Sequence, residues 1–200
     1  MKSIQVAVAA AAAAIALTAC SSPMQAGAAA VVGNERISSS QLTAETAAYV
    51  AALKRANLDE SQLGGIPASH FVLQRMTDVS AFKQILTRHN VQVSQTEIDA
   101  AIKDPGQAPS AEINLLSRGV LPTDAREFGR VLVGLGKLQQ QFGGQNGGQE
   151  RLIQERAAIK TIYNPRFGML NPQPTQENPG MFIDSGRFGK STTQQAPQQG

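Results

Sequence analysis

From Ala30 onward the spacing of apolar residues changes period repeatedly, and each change marks an element. Ala30-Val31-Val32 and Glu35-Arg36-Ile37 flank Gly33-Asn34. Two short apolar-rich runs around such a dipeptide predict a tight hairpin, because glycine takes the positive φ that primed turns need. A lone hairpin is unstable, so this one requires a further strand or a covering helix. From Ser38 to about Asn57 the period becomes helical. Leu42, Thr46, Tyr49, Val50 and Leu53 fall on one stripe, and Ser38 with Gln41 supplies a capping box. Leu58 to Gly65 reads as a loop. Pro67 opens a second helix, where its missing N–H costs nothing, and Asn90 closes it. At about 100° per residue, Ile85, Phe71, Phe82, Leu86, Val79, Val72 and Met76 spread over roughly 180° of this helix, and Leu73 lies beyond even that arc. A surface helix needs an apolar stripe of little more than about 100°. The second helix is therefore either central to a bundle or the wall of a groove, and the central position is favoured because burial is the usual fate of so wide an arc.

Val91-Gln92-Val93 reads as a short extended link. Ser94-Gln95-Thr96-Glu97 is a second capping box, opening a short helix with Ile98, Ala101 and Ile102 inward. Asp104-Pro105-Gly106 stops it. Ser110 caps a fourth helix carrying Ile113, Leu115 and Leu116, and Gly119 ends it. Pro122-Thr123-Asp124 starts a fifth, with Phe128, Val131, Leu132, Leu135, Leu138 and Phe142 as its stripe. Gly129, Gly134 and Gly136 weaken that helix by up to about 1 kcal/mol each relative to alanine, which points to close packing against a neighbour. After a Gly/Gln/Asn linker (143–149), Arg151 to Arg156 predicts a brief helix. Ala157 to Tyr163 then alternates as a strand, the expected partner of the hairpin. The predicted fold is mainly α: a bundle of about five helices with a small sheet formed by an N-terminal hairpin and a C-terminal strand. From Met169 the composition turns to Pro, Gln, Gly, Asn and Thr, which predicts a disordered tail over 169–200.

Composition narrows the chemistry. The 200 residues contain one cysteine, two histidines and no tryptophan, and aromatics make up 4%. The core must therefore be mostly aliphatic. The formal net charge of +3 is too balanced to argue for nucleic acid. His70 and His89 lie near opposite ends of one predicted helix, cannot share a metal, and are expected as surface or cap residues. Gly143-Gly144-Gln145-Asn146-Gly147-Gly148 lacks the Lys-Ser/Thr sequel of a phosphate loop. Neither a catalytic constellation nor a cofactor site is expected.

The sole cysteine, Cys20, follows an apolar run from Ile4 to Leu17 that is broken only by Gln5 and preceded by Lys2. That layout predicts a secretory signal over residues 1–19, too short for a spanning helix. Leu17-Thr18-Ala19-Cys20 resembles the lipobox of bacterial lipoproteins. The resemblance implies a diacylglycerol thioether on Cys20 and cleavage before it; the small, polar residues that follow read as a tether over 20–29 ahead of a domain over 30–168. The expected location is the extracytoplasmic face of the cell membrane, reached by lipid anchoring. Lys2 is the only charge removed, so +3 becomes +2.

The ordered phrases Ala30-Val31-Val32-Gly33-Asn34-Glu35-Arg36-Ile37 and Val93-Ser94-Gln95-Thr96-Glu97-Ile98 carry a second resemblance. A valine-rich hairpin before a helix, and a Val-Ser-x-x-Glu-Ile helix opening two elements later, resemble the N-terminal chaperone domain of SurA/PrsA/trigger-factor-like foldases. Asn164-Pro165-Arg166-Phe167-Gly168 is similar to the ending of actinobacterial lipoproteins with that domain. Many members insert a parvulin prolyl-isomerase domain after the long helix. Here only Gly143 to Glu150 stands there, and a domain needs at least about 50 residues. The resemblance implies a chaperone role; with no room for the isomerase domain and no catalytic constellation in the sequence, no enzyme activity is expected. Unfolded or exported polypeptides are the expected partners, and Phe71, Met76 and Phe82 the candidate peptide-binding residues. The alternative is a scaffolding lipoprotein that binds one cell-envelope partner.

Overall fold

The computed structural model of the chain describes residues 26–59, 66–171, 173, 175, 180, 182 and 183. The expected signal segment, Cys20 and residues 184–200 of the expected tail lie outside the described residues. The fold is mainly helical with a small antiparallel sheet, as the periodicity predicts. The hairpin is β1 (Ala28–Val32) and β2 (Glu35–Ser38), turning through Gly33-Asn34. Gly33 adopts φ 56°, and a side chain there would collide with Gln84, whose Nε2 donates to the Val32 carbonyl at 2.9 Å. The missing sheet partner is β3 (Thr161–Tyr163), which pairs antiparallel with β1, Ala30 opposite Tyr163 and Val32 opposite Thr161. The sheet order β2-β1-β3 thus joins the two ends of the domain. Asn164 fastens the junction: its backbone N–H donates to the Ala29 carbonyl at 2.8 Å and its side chain to the Ala28 carbonyl at 2.9 Å.

Among the described residues are six α-helices, α1 (Ser39–Arg55), α2 (Ala68–Arg88), α3 (Gln95–Lys103), α4 (Ala111–Leu116), α5 (Ala125–Gln141) and α6 (Gly148–Ala158), of which α1 and α2 pack on the sheet. Local chemistry sets their ends. Ser38, Ser94 and Ser110 each accept a backbone N–H three residues on. At Ser94 the Glu97 carboxylate returns the bond to the Ser94 N–H at 2.9 Å, completing the box. Ser38 supplies the hydroxyl half of its box. Pro67 is the N-cap of α2, one position before its first helical residue. Its C-cap is His89, with Asn90 in the left-handed region at φ 52°.

α2 takes the central place, packed on α1, α5, α6 and the sheet. Val72, Leu73 and Ile85 are fully buried, so the arc that extended to Leu73 is explained by neighbours on two sides. The glycines of α5 also find their neighbours. A β-carbon on Gly134 would lie 2.5 Å from Leu86 Cδ1, and one on Gly129 2.6 Å from Ile102 Cγ2. These two positions seat α5 on α2 and α3, while Gly136 faces open space. No helix among the described residues is long and apolar enough to cross a membrane.

Several boundaries differ from expectation, and α6 already begins at Gly148, inside the stretch read as a linker. Ala28 and Ala29, placed in the tether, are fully buried strand residues, because alanine lets the helices close over β1. Ala157 and Ala158, read as strand, end α6; alanine favours helix, and the paired strand is only three residues long. Within the expected disordered tail, β4 (Met169–Leu170) pairs with β5 (Phe182–Ile183), and Phe182 packs against the core.

The capping box of α3 has a consequence in acid. Glu97 is held down to a pKa of about 2 by a hydrogen bond from Lys137 Nζ, then by the Ser94 N–H and hydroxyl. A carboxylate with a depressed folded pKa contributes stability above its unfolded value that is lost as pH falls through the folded one. The cap will therefore survive the ordinary carboxylate range near 4.5 and open only toward pH 2. Carboxyl NMR titration of Glu97 reads this directly, and a midpoint near 4.5 would contradict it.

Candidate functional site

Along α2 the residues Phe71, Arg75, Asp78, Val79 and Phe82 recur at helical spacing and share one face. Phe128, Val131, Leu132 and Leu135 do the same on α5. Between the two faces lies a groove of about 330 Å³, N-terminal along α2 to the close contact at Gly134 and Leu86. That volume falls within the range of ligand-binding clefts, about 300–1,000 Å³. Val131 forms a buried floor. Phe71, Val79, Phe82, Phe128 and Leu135 are half-buried, and Leu132 is 41% exposed. Apolar side chains thus remain open to solvent beside a well-packed core.

The groove wall is braced by charge. Arg75 is only 10% exposed and reaches three partners: Glu45 Oε2 at 3.0 Å, Asp124 Oδ2 at 3.2 Å and the Gly119 carbonyl at 3.0 Å. It thereby ties α1, α2 and the start of α5 together. Burial and then the nearby Asp124 carboxylate push the Glu45 pKa up, against the pull of Arg75. Asp78 pairs with Arg156 of α6 at 3.1 Å, and burial pushes its pKa up despite that partner. These fixed pairs hold α2 in register with its neighbours while the apolar stripe faces outward.

The structure brings two of the three candidate residues together. Phe71 and Phe82 line the groove. Met76 does not: it is 6% exposed, belongs to the core, and borders a charged recess with Glu35, Glu45 and Lys83. A helical wheel separates these fates poorly, since all three fall within one broad arc. Phe128, Leu132 and Leu135 join the groove from α5, where their stripe read only as core. Arg118, in the turn after α4, closes the end near Phe71.

Both histidines are packed. His89 is the C-cap of α2 and contacts Glu155 Oε1 at 3.2 Å. His70 sits in an aromatic cluster, edge-to-face with Phe182 at 4.8 Å and Phe167 at 5.9 Å; burial lowers its pKa. Tyr163 completes the cluster, 5.2 Å from Phe182, with its hydroxyl 3.1 Å from Thr77. Among the described residues, no three His, Cys, Asp or Glu side chains converge to hold a metal ion. The groove offers apolar side chains against which an apolar segment can lie. The chain matches no family model, no curated protein and no solved structure.

Proposed function

We propose that this is a lipid-anchored, extracytoplasmic chaperone-like protein that holds unfolded or exported polypeptides without isomerase activity. The observation that carries the reading is the solvent-open apolar groove between α2 and α5, lined by Phe71, Phe82, Phe128, Leu132 and Leu135. A groove that offers several half-buried aromatic and leucine side chains suits varied apolar segments better than one rigid shape. The lipobox-like run ending at Cys20 and the foldase-like order of hairpin, helices and returning strand support the same reading. In a cell envelope the anchor would hold such a groove close to emerging chains.

The test uses a soluble form beginning at Ser21. It will suppress aggregation of an unfolded client without ATP, and it will leave refolding limited by a prolyl bond at its spontaneous rate. Leu132→Asp will reduce suppression several-fold while shifting the unfolding midpoint by no more than about a few degrees, because substitutions at exposed positions change stability by only about 0.5 kcal/mol. In the full chain, Cys20→Ala will abolish lipid labelling. Failure to bind any of a broad set of unfolded chains would overturn the chaperone reading. Tight binding of one folded envelope protein would replace it with the scaffolding alternative.

A further inference from the structure

The charges around the groove are not all neutralised. Arg75 is shared between Glu45 and Asp124, and Asp78 is matched by Arg156. Arg118 differs. It is exposed, and its Nε donates to Asn114 Oδ1 at 3.1 Å, one helical turn back. Among the described residues its guanidinium meets no carboxylate. The Asn114 bond leaves the terminal nitrogens for a ligand while restricting how the side chain swings. Arg118 lines the groove at the end occupied by Phe71, beside Gly119, where an added β-carbon would lie 3.0 Å from the Phe71 ring. The groove is therefore an apolar slot with one uncompensated cation at one end.

We propose, building on the chaperone reading, that the groove prefers apolar segments with an aspartate or glutamate side chain at one flank, which Arg118 receives. A guanidinium presents paired N–H donors that match a carboxylate, and such charge-assisted bonds are stronger than neutral ones. The pairing adds selectivity and direction to a site whose remaining contacts are sequence-tolerant. A segment entering with its acidic flank at the Phe71 end gains the contact; the reversed orientation leaves Arg118 unpaired and brings the acid toward other groups.

The experiment compares blocked-terminus peptides with one apolar stretch, flanked on either side by Asp, Asn or Lys, against the soluble form beginning at Ser21. Acetyl and amide blocks remove the terminal carboxylate as a competing acid. The Asp peptide will bind about threefold tighter than its Asn counterpart, the scale of an exposed ion pair. The gap will close in Arg118→Gln and on raising salt from about 0.05 M to about 0.5 M, where screening shortens the reach of exposed charges. Arg118→Lys will retain part of the gap. Arg118→Glu will invert the preference toward the Lys-flanked peptide. Thermal unfolding of each variant will match the parent, since Arg118 is exposed. Equal affinity for Asp and Asn peptides would overturn the acidic preference and leave the apolar groove standing. An acidic preference that survives Arg118→Gln would overturn Arg118 as the group that receives the acid. Absence of binding by every peptide would overturn the chaperone reading and this inference together.

Discussion

A chain ending at Ala158 will lose its cooperative fold, whereas one ending at Gly168 will keep it. The first removes β3, and with it the pairing of Val31 with Ile162 and the bonds from Gly33 N to Lys160 O (2.8 Å) and Asn164 N to Ala29 O (2.8 Å). Each such bond contributes about 0.5–1.5 kcal/mol net. Ile159, 6% exposed, and the half-buried Tyr163 disappear as well, at about 1.5–3 kcal/mol for each fully buried side chain of this size. The total, about 5 kcal/mol, equals the lower end of a domain's whole stability. The second truncation removes Phe182 and the β4–β5 pair but leaves the sheet closed. Its expected cost is about 1–2 kcal/mol, from uncovering His70, Phe167 and Tyr163. Urea unfolding followed by far-UV circular dichroism separates the two. An unchanged midpoint for the chain ending at Ala158 would contradict the account of how the two ends close the domain.

Tyr49→Ala will be nearly as damaging, and Tyr49→Phe mild. Tyr49 is fully buried on α1, and its hydroxyl donates to the Leu116 carbonyl of α4 at 2.6 Å. Its ring lies 6.2 Å from that of Phe71, so it supports the groove wall from behind. Deleting a buried aromatic ring costs about 3–5 kcal/mol, because transfer energy and cavity formation add. The phenylalanine variant keeps the packing. It loses one hydrogen bond to a carbonyl that still accepts the Gly119 N–H at 3.0 Å, for about 0.5–1.5 kcal/mol. Chemical unfolding of the pair reports the difference. A loss in the alanine variant no larger than in the phenylalanine one would mean that the Tyr49 ring does not support the groove wall. The alanine variant will also weaken client holding under conditions where it remains folded, since Phe71 loses its backing.

Local chemistry explains why so much of the fold was legible. Hydroxyl caps at Ser38, Ser94 and Ser110, the Gly33-Asn34 turn and the left-handed Asn90 act within a few residues of themselves. Pairing of β3 with the hairpin was also readable, because an orphan hairpin demands a partner and only one alternating run lay beyond the helices. What failed were readings where composition or period underdetermines structure. Ala157 and Ala158 satisfy an alternating pattern without contradicting a helix, and α6 claimed them. The tail's polar composition concealed Phe182, which docks between His70 and Tyr163. A wide apolar arc on α2 contains both core and groove residues, so the pattern alone does not separate Met76 from Phe71 and Phe82. Which part of that arc stays open depends on where α5 lies. That position is set by glycines at 129 and 134 fitting against distant partners, which no local pattern encodes.

Placing a probe in the groove tests the central claim most directly. The form beginning at Ser21 contains no cysteine, so Leu132→Cys introduces a single thiol at the groove's exposed edge. A control form carries its thiol at Arg55, at the far end of α1. Each is labelled with a photo-crosslinker and illuminated with an unfolded client. Crosslinking at position 132 that greatly exceeds that at position 55, and that is competed away by an apolar peptide, is the predicted result. Equal crosslinking at the two positions, or crosslinking at 132 that no apolar peptide displaces, would contradict the groove as the binding site.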